Sequence, residues 1–144
     1  MKDVMKRSEC PISNCLDFVG DKWSLLIIRD IALDGKTTFG EFIESGEGIA
    51  TNILSSRLKQ LEAEGFIAKY PLEGKNRTGY YLTKKGIELV PIIAEMYLWG
   101  LKHGGSNTRK KFASALKRDK ESAIQELTEE LLKNAKALQK RSKK

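Results

Sequence analysis

The stretch from Thr38 to Leu82 restricts the fold more than any other part of the chain. Thr38-Phe39-Gly40-Glu41 has the pattern of a capping box, in which a Thr hydroxyl and a Glu carboxylate each satisfy an orphan backbone N–H. The short helix it opens is predicted to turn Phe39, Phe42 and Ile43 inward, and Ser45-Gly46-Glu47-Gly48 ends it. A second periodic run, Ala50–Glu64, follows at once, with Leu54, Leu58 and Leu61 on one stripe and Gly65 as C-cap. Phe66–Leu72 then reads as a strand that Pro71 confines to an edge. Residues 73–76 supply a turn, and Arg77–Leu82 reads as the return strand, with Tyr80 and Leu82 on one face. A short helix, a glycine turn, a longer helix and a hairpin in that order outline a winged helix-turn-helix.

The flanks are helical too. Cys10-Pro11 opens a helix over Ile12–Val19 that ends at Gly20, since proline suits a first helical turn. Asp21 is placed to cap Lys22–Leu33, a run apolar around most of its circumference and therefore central to the core. Thr83 caps what reads as one long helix to about Lys102, bent at Pro91 and carrying Ile87, Val90, Ile93, Ala94, Tyr97, Leu98 and Leu101 on a stripe. Gly104-Gly105-Ser106-Asn107 marks a boundary. The expected organisation is a winged helix-turn-helix domain over 1–105 and a basic amphipathic helical extension over 106–144. In the extension Phe112, Leu116, Ile124, Leu127, Leu131, Leu132, Ala135 and Leu138 recur at helical spacing, in one or two helices, before a tail over 140–144 that reads as disordered. The predicted fold class is mainly α with a small β hairpin.

Charge alone is a weak guide to partners. Of the 144 residues, 26 are Lys or Arg and 19 Asp or Glu, a net charge of +7. Residues 1–108 hold 14 of each sign and residues 109–144 hold 12 against 5, so the whole excess lies in the last quarter. A case for nucleic acid must therefore come from where residues sit. No apolar run exceeds the length of Leu25–Ile28, far short of a bilayer span, and no apolar stretch follows the first charges. A cytoplasmic chain with no membrane partner is expected. Cys10, Cys15 and His103 do not make a zinc set, and neither a phosphate-binding loop nor a nucleophile signature is present. No metal, cofactor or enzymatic activity is expected.

Placement does point to DNA. On a helical wheel with Leu54 at zero, Leu58 and Leu61 fall within about 40°, and Asn52, Ser55, Ser56 and Lys59 at roughly 100–200°. The outer face is thus small, hydrogen-bonding and free of acid until Glu62. It suits a helix entering a major groove, where Asn and Lys read base edges and Ser reaches phosphate. Any amphipathic surface helix also has a polar outer face, and the surrounding order of elements is what favours the first reading. Thr38 and Thr51 join this candidate DNA surface, as do Lys75, Asn76 and Arg77 at the hairpin tip, which carries no acid after Glu73. A solvated tip is the competing reading.

Five segments resemble the HxlR-type (DUF24) transcriptional regulators. They are Cys10-Pro11; Gly20 to Ile31 (GDKWSLLIIRDI); Thr38 to Phe42 (TFGEF); Ile49 to Glu62 (IATNILSSRLKQLE); and Tyr80 to Gly86 (YYLTKKG). Trp99 matches the family tryptophan near the end of the last core helix. The resemblance runs unbroken over about residues 10–102. It implies a MarR-related winged helix that dimerises, binds inverted-repeat double-stranded operators and represses or activates transcription. Ala50 departs from the capping serine often found before the recognition helix, leaving Thr51 as a candidate cap, and residues 106–144 extend past the family core.

In several family members the cysteine of this Cys-Pro pair is implied to sense oxidants or electrophiles. A helix N-terminus and nearby Lys6 and Arg7 favour a thiolate at Cys10, although a half-buried structural thiol is the competing reading. An internal Cys10–Cys15 disulfide is unfavourable, because five residues of helix separate Cα atoms by roughly 8–9 Å. Cys15 reads as packing and His103 as a charge complement at a helix end. Trp23, Tyr97, Trp99 and Phe112 either line a small-molecule effector pocket at a dimer seam or belong to the core. A homodimer is expected through the stripe of the 83–102 helix and the N-terminal helix. The extension is expected to fold back across that dimer and lend its lysines to phosphate. The alternative function is a winged-helix protein–protein interaction module with the basic C-terminal segment as docking element.

Overall fold

A computed structural model of the chain describes residues 7–73 and 77–142. The helices are α1 (Pro11–Val19), α2 (Ser24–Asp34), α3 (Phe39–Ile43) and α4 (Thr51–Ala63). After strands β1 (Ile67–Pro71) and β2 (Thr78–Leu82) come α5 (Lys84–Ile87), α6 (Val90–Lys102), α7 (Lys110–Arg118) and α8 (Lys120–Ser142). The class is mainly helical with one antiparallel hairpin, as predicted, and the order is that of a winged helix-turn-helix followed by two further helices.

Helix α2 is the axis of the core. Ile27, Ile28, Ile31 and Ala32 are buried on it, and Val19, Phe42, Leu54, Leu58, Leu61, Phe66, Ile67, Leu82, Ile87, Val90 and Ile93 close around them. Asp21 organises its start: the carboxylate accepts from the amides of Trp23 and Ser24, both at 2.9 Å, and from the Ser24 hydroxyl at 2.5 Å. The helix begins two residues later than predicted because Asp21 caps through this turn. Gly35 ends it at φ 66°, a left-handed conformation that costs glycine no Cβ clash.

The capping box forms as read. The Thr38 hydroxyl accepts from the Glu41 amide at 3.2 Å, and the Glu41 carboxylate accepts from the Thr38 amide at 3.1 Å. Phe39 departs from expectation: it is exposed, since only Phe42 and Ile43 of this one-turn-and-a-half helix reach the core. The hairpin pairs Ile67 with Leu82 through to Pro71 with Thr78, and the Tyr80 amide donates to the Thr37 carbonyl at 2.8 Å, tying the entry to α3 onto the hairpin.

Three further expectations change. The predicted 83–102 helix is two helices parted at Glu88-Leu89, with Pro91 in the first turn of α6. Proline lacks the N–H that would continue the ladder and its ring crowds the preceding turn, so the helix restarts instead of bending. The tail expected to be disordered is helical as far as Ser142; Lys143 and Lys144 lie outside the described residues. Finally, the extension's stripe is covered by its own chain. Ile124, Leu127, Leu131, Leu132 and Ala135 pack on the main core, and Leu138 forms a second cluster with Tyr70 and Tyr81 on the hairpin's other face. Tyr81, on the opposite face from Tyr80 and Leu82, is therefore buried too.

Candidate nucleic-acid interface

Helix α4 is held from behind and bare in front. Leu54, Leu58 and Leu61 are at most 2% exposed, while Thr51, Asn52, Ser56 and Lys59 are exposed and Ser55 is half-buried. The structure thus brings the five candidate residues of this helix onto one surface. Thr51 does not act as a cap: Ala50 stands at the N-cap in an extended conformation, with no side chain bonded to the first turn. Thr51 is already helical, where its hydroxyl cannot reach forward to the amides that a cap serves.

Arg57, which sequence reasoning passed over, braces this helix. Its guanidinium donates to Gln60 Oε1 at 2.9 Å, and Gln60 donates on to Glu64 at 3.2 Å. The same guanidinium lies 3.8 Å from Asp21, linking α4 to the turn that starts α2. Burial works against the Asp21 charge, but the hydrogen bonds from Ser24 and Trp23 and the Arg57 charge hold its carboxyl below the ordinary range. The available signal was the i, i+3, i+7 spacing of Arg57, Gln60 and Glu64 on one flank of α4.

Thr38 stands at the N-cap of α3. Its hydroxyl is engaged with Glu41, whose carboxyl is held low first by the Thr37 amide and then, against slight desolvation, by Thr38. At the hairpin, Arg77 and Thr78 are exposed, and the Leu72 amide donates to the Arg77 carbonyl at 2.9 Å to close the turn. Lys75 and Asn76 lie outside the described residues. Tyr70 lies across Gly79, where an added Cβ would come within 2.5 Å of its ring, so the strand needs glycine there.

Cys10 is exposed at the N-cap of α1. Its thiol is pulled below the ordinary value by the backbone N–H groups of Ser13 and Ile12. Arg7, expected to help, is paired with Asp17 at 2.8 Å. Cys15 packs against the core. Within one protomer the four aromatics considered for an effector pocket at a dimer seam do not form a single cluster. Trp99 is exposed and stacks on His103 at 4.4 Å, Tyr97 meets Phe112 edge-on at 5.6 Å, and Trp23 lies under Lys22. Tyr97 does line an open groove of about 190 Å³ between α2 and α6, with Leu25, Arg29 and Met96. Among the described residues no three metal-ligating side chains cluster, and no helix is long and apolar enough to cross a membrane.

Residues 18–108 match the family of HxlR-like helix-turn-helix proteins. The chain is 36% identical over 93 residues to an uncharacterized HTH-type transcriptional regulator of Synechocystis sp., covering 63% of this chain and 67% of that one. Among solved structures, it resembles PA1607, described as a candidate transcription factor, at 39% identity and a TM-score of 0.64 over 72% of each chain. It also resembles the redox regulator HypR in its oxidized form, at 31% identity and a TM-score of 0.61, over 67% of this chain and the whole of that one.

Proposed function

This chain belongs to the HxlR-like helix-turn-helix family, whose curated relatives are transcriptional regulators, and from that premise we propose how it engages DNA. It acts as a homodimer on an inverted-repeat operator. Helix α4 enters the major groove in each half-site, and the hairpin tip over 73–78 tracks the adjacent backbone. The observation that carries this is the surface of α4: Asn52, Ser56 and Lys59 are exposed on a helix pinned by three buried leucines and by Arg57. Asn52 and Lys59 read base edges, Thr51, Ser55 and Ser56 meet phosphate or base, and Lys75, Asn76 and Arg77 contact backbone. Thr38 serves by capping α3, with its hydroxyl committed to Glu41. Residues 1–105 form the reading unit and 106–144 support it.

Dimerisation rests on the apolar surface the fold leaves uncovered. Ile92, Met96 and Trp99 run along α6 at i, i+4, i+7 and are 41, 52 and 67% exposed; Ile12 and Leu16 do the same on α1. A small monomer rarely leaves so much wet. Two recognition helices would then lie about 34 Å apart, one turn of DNA.

Selection of bound fragments from randomised duplex identifies the operator and tests the division of labour. Asn52→Ala is expected to cost about 1–3 kcal/mol and blur the preferred sequence. Lys75→Ala or Arg77→Ala should weaken all duplexes alike and lower the salt slope. Identical sequence profiles for the two kinds of variant would overturn the assignment.

Cys10 supplies the response to oxidants or electrophiles. Its exposure and its depressed thiol support this reading, as does the likeness to a redox regulator. Cys10→Ser should bind operator normally when reduced and ignore diamide or a quinone, whereas Cys15→Ser should respond as the parent does. Operator affinity of the parent that oxidants leave unchanged would remove the sensor role.

A further inference from the structure

We propose that the C-terminal half of α8 is a second phosphate-contacting surface, which lengthens the wing's footprint along duplex DNA. The proposal rests on the DNA-binding reading above and adds to it a surface outside the family-matched residues.

Helix α8 has two electrostatic halves. Residues 120–130 hold Lys120 against Glu121, Glu126, Glu129 and Glu130, a net −3, whereas residues 131–142 hold Lys133, Lys136, Lys140 and Arg141 and no acid, a net +4. The fold decides where each half goes. The acidic half starts beside α6, where Lys120 pairs with Glu95 at 3.2 Å. From there the helix runs over the core to the hairpin. Leu138 is buried against Tyr70 and Tyr81, and Arg141 donates to the Pro71 carbonyl at 3.1 Å with its guanidinium over the Tyr70 ring. Pro71 pairs with Thr78 in the last rung before the tip. The basic end of α8 is therefore delivered to the same end of the hairpin as Arg77.

Lys133, Lys136 and Lys140 are exposed and fall roughly 160–220° from Leu138 on the wheel, away from the hairpin they ride on. Complementing the helix dipole does not explain the pattern. That effect fades within the last turn, which accounts for Lys140 and Arg141, whereas Lys133 lies more than two turns before Ser142. A row of acid-free lysines beside a basic hairpin tip is what a polyanionic backbone recruits.

The test uses the full chain and a fluorescein-labelled mixed-sequence duplex of about 30 base pairs, titrated across roughly 50–200 mM salt, where phosphate contacts dominate. Lys133→Gln/Lys136→Gln/Lys140→Gln should lower affinity roughly tenfold and reduce the salt slope by about two to three. Lys110→Gln/Lys111→Gln/Lys117→Gln removes equal charge from α7, at the acidic end of α8, and should have a clearly smaller effect. Circular dichroism and thermal midpoints should match the parent for both, since all six side chains are exposed. Equal losses in the two triple variants, or parental affinity and slope in the α8 variant, would overturn the proposal. In that case Lys59→Ala still weakening the complex would leave the α4 reading standing. A parent chain that does not bind the duplex even at the lowest salt would sink both.

Discussion

Helices α6 and α8 both carry apolar stripes, yet the fold treats them in opposite ways. On α8 the stripe from Ile124 to Leu138 is spent inside the protomer, against the core and the outer face of the hairpin. On α6 one face is buried through Val90, Ile93 and Ala94, while Ile92, Met96 and Trp99 stay exposed. Most of a helix's stability in a protein comes from packing an amphipathic face, and α8 finds that packing on its own chain. Helix α6 has a buried face of its own, and its second face stays exposed. An extension can thus be amphipathic for the sake of the monomer, and the association surface must be sought where apolar residues remain wet after folding.

The largest effect expected from that contrast is on assembly. Met96→Glu with Trp99→Glu should raise the dimer dissociation constant at least a hundredfold, about 3 kcal/mol, because two anchors would bring charge into a desolvated contact. Sedimentation at micromolar concentration would show monomer, with the protomer's thermal midpoint near the parent value. A dimer that survives both changes would take α6 out of the association surface.

Leu138→Ala probes the other helix. At 8% exposure, between Tyr70 and Tyr81, its loss should destabilise the protomer by about 2–3 kcal/mol in urea unfolding, with the dimer constant little changed. The reverse outcome, a looser dimer of unaltered stability, would show that α8 and not α6 faces the partner.

The smallest effect concerns the joint between the two parts. Arg109, just before α7, donates to both Asp34 oxygens at 3.0 and 2.6 Å, and its amide donates to Tyr97 Oη at 2.8 Å. The Arg109 hydrogen bonds hold the Asp34 carboxyl below the ordinary range against partial burial. Because the folded value is depressed, the pair contributes fully above the ordinary carboxylate value of about 4 and is lost as pH falls through the lower folded value. Being partly exposed, it is worth under about 1 kcal/mol. Hydrogen exchange should show α7 losing protection on acidification before α2 does. Asp34→Asn should abolish that difference, and an acid response unchanged in Asp34→Asn would place the titrating group elsewhere.

Local chemistry determined what sequence could reveal. The Thr38–Glu41 box, the Asp21 cap, the Leu54-Leu58-Leu61 stripe and the Pro71-bounded hairpin each depend on residues within a few positions of one another. Such patterns specify an element and its inner face before any tertiary contact forms. The polar face of α4 was legible for the same reason, being the complement of that stripe. Periodicity is blind to what covers a face, and there the tertiary structure decided. It took packing to bury Tyr81 as well as Leu82, by laying α8 over the strand face that alternation alone leaves to solvent. Packing likewise brought Arg57 to Asp21 and Arg109 to Asp34 across 36 and 75 residues. It also carried the basic end of α8 to the hairpin, where Arg141 meets the Pro71 carbonyl and the Tyr70 ring. The chain specified two amphipathic stripes in its C-terminal half; only packing settled that the α8 stripe is covered within the protomer while Ile92, Met96 and Trp99 on α6 stay exposed, because periodicity sets an apolar face and not what covers it.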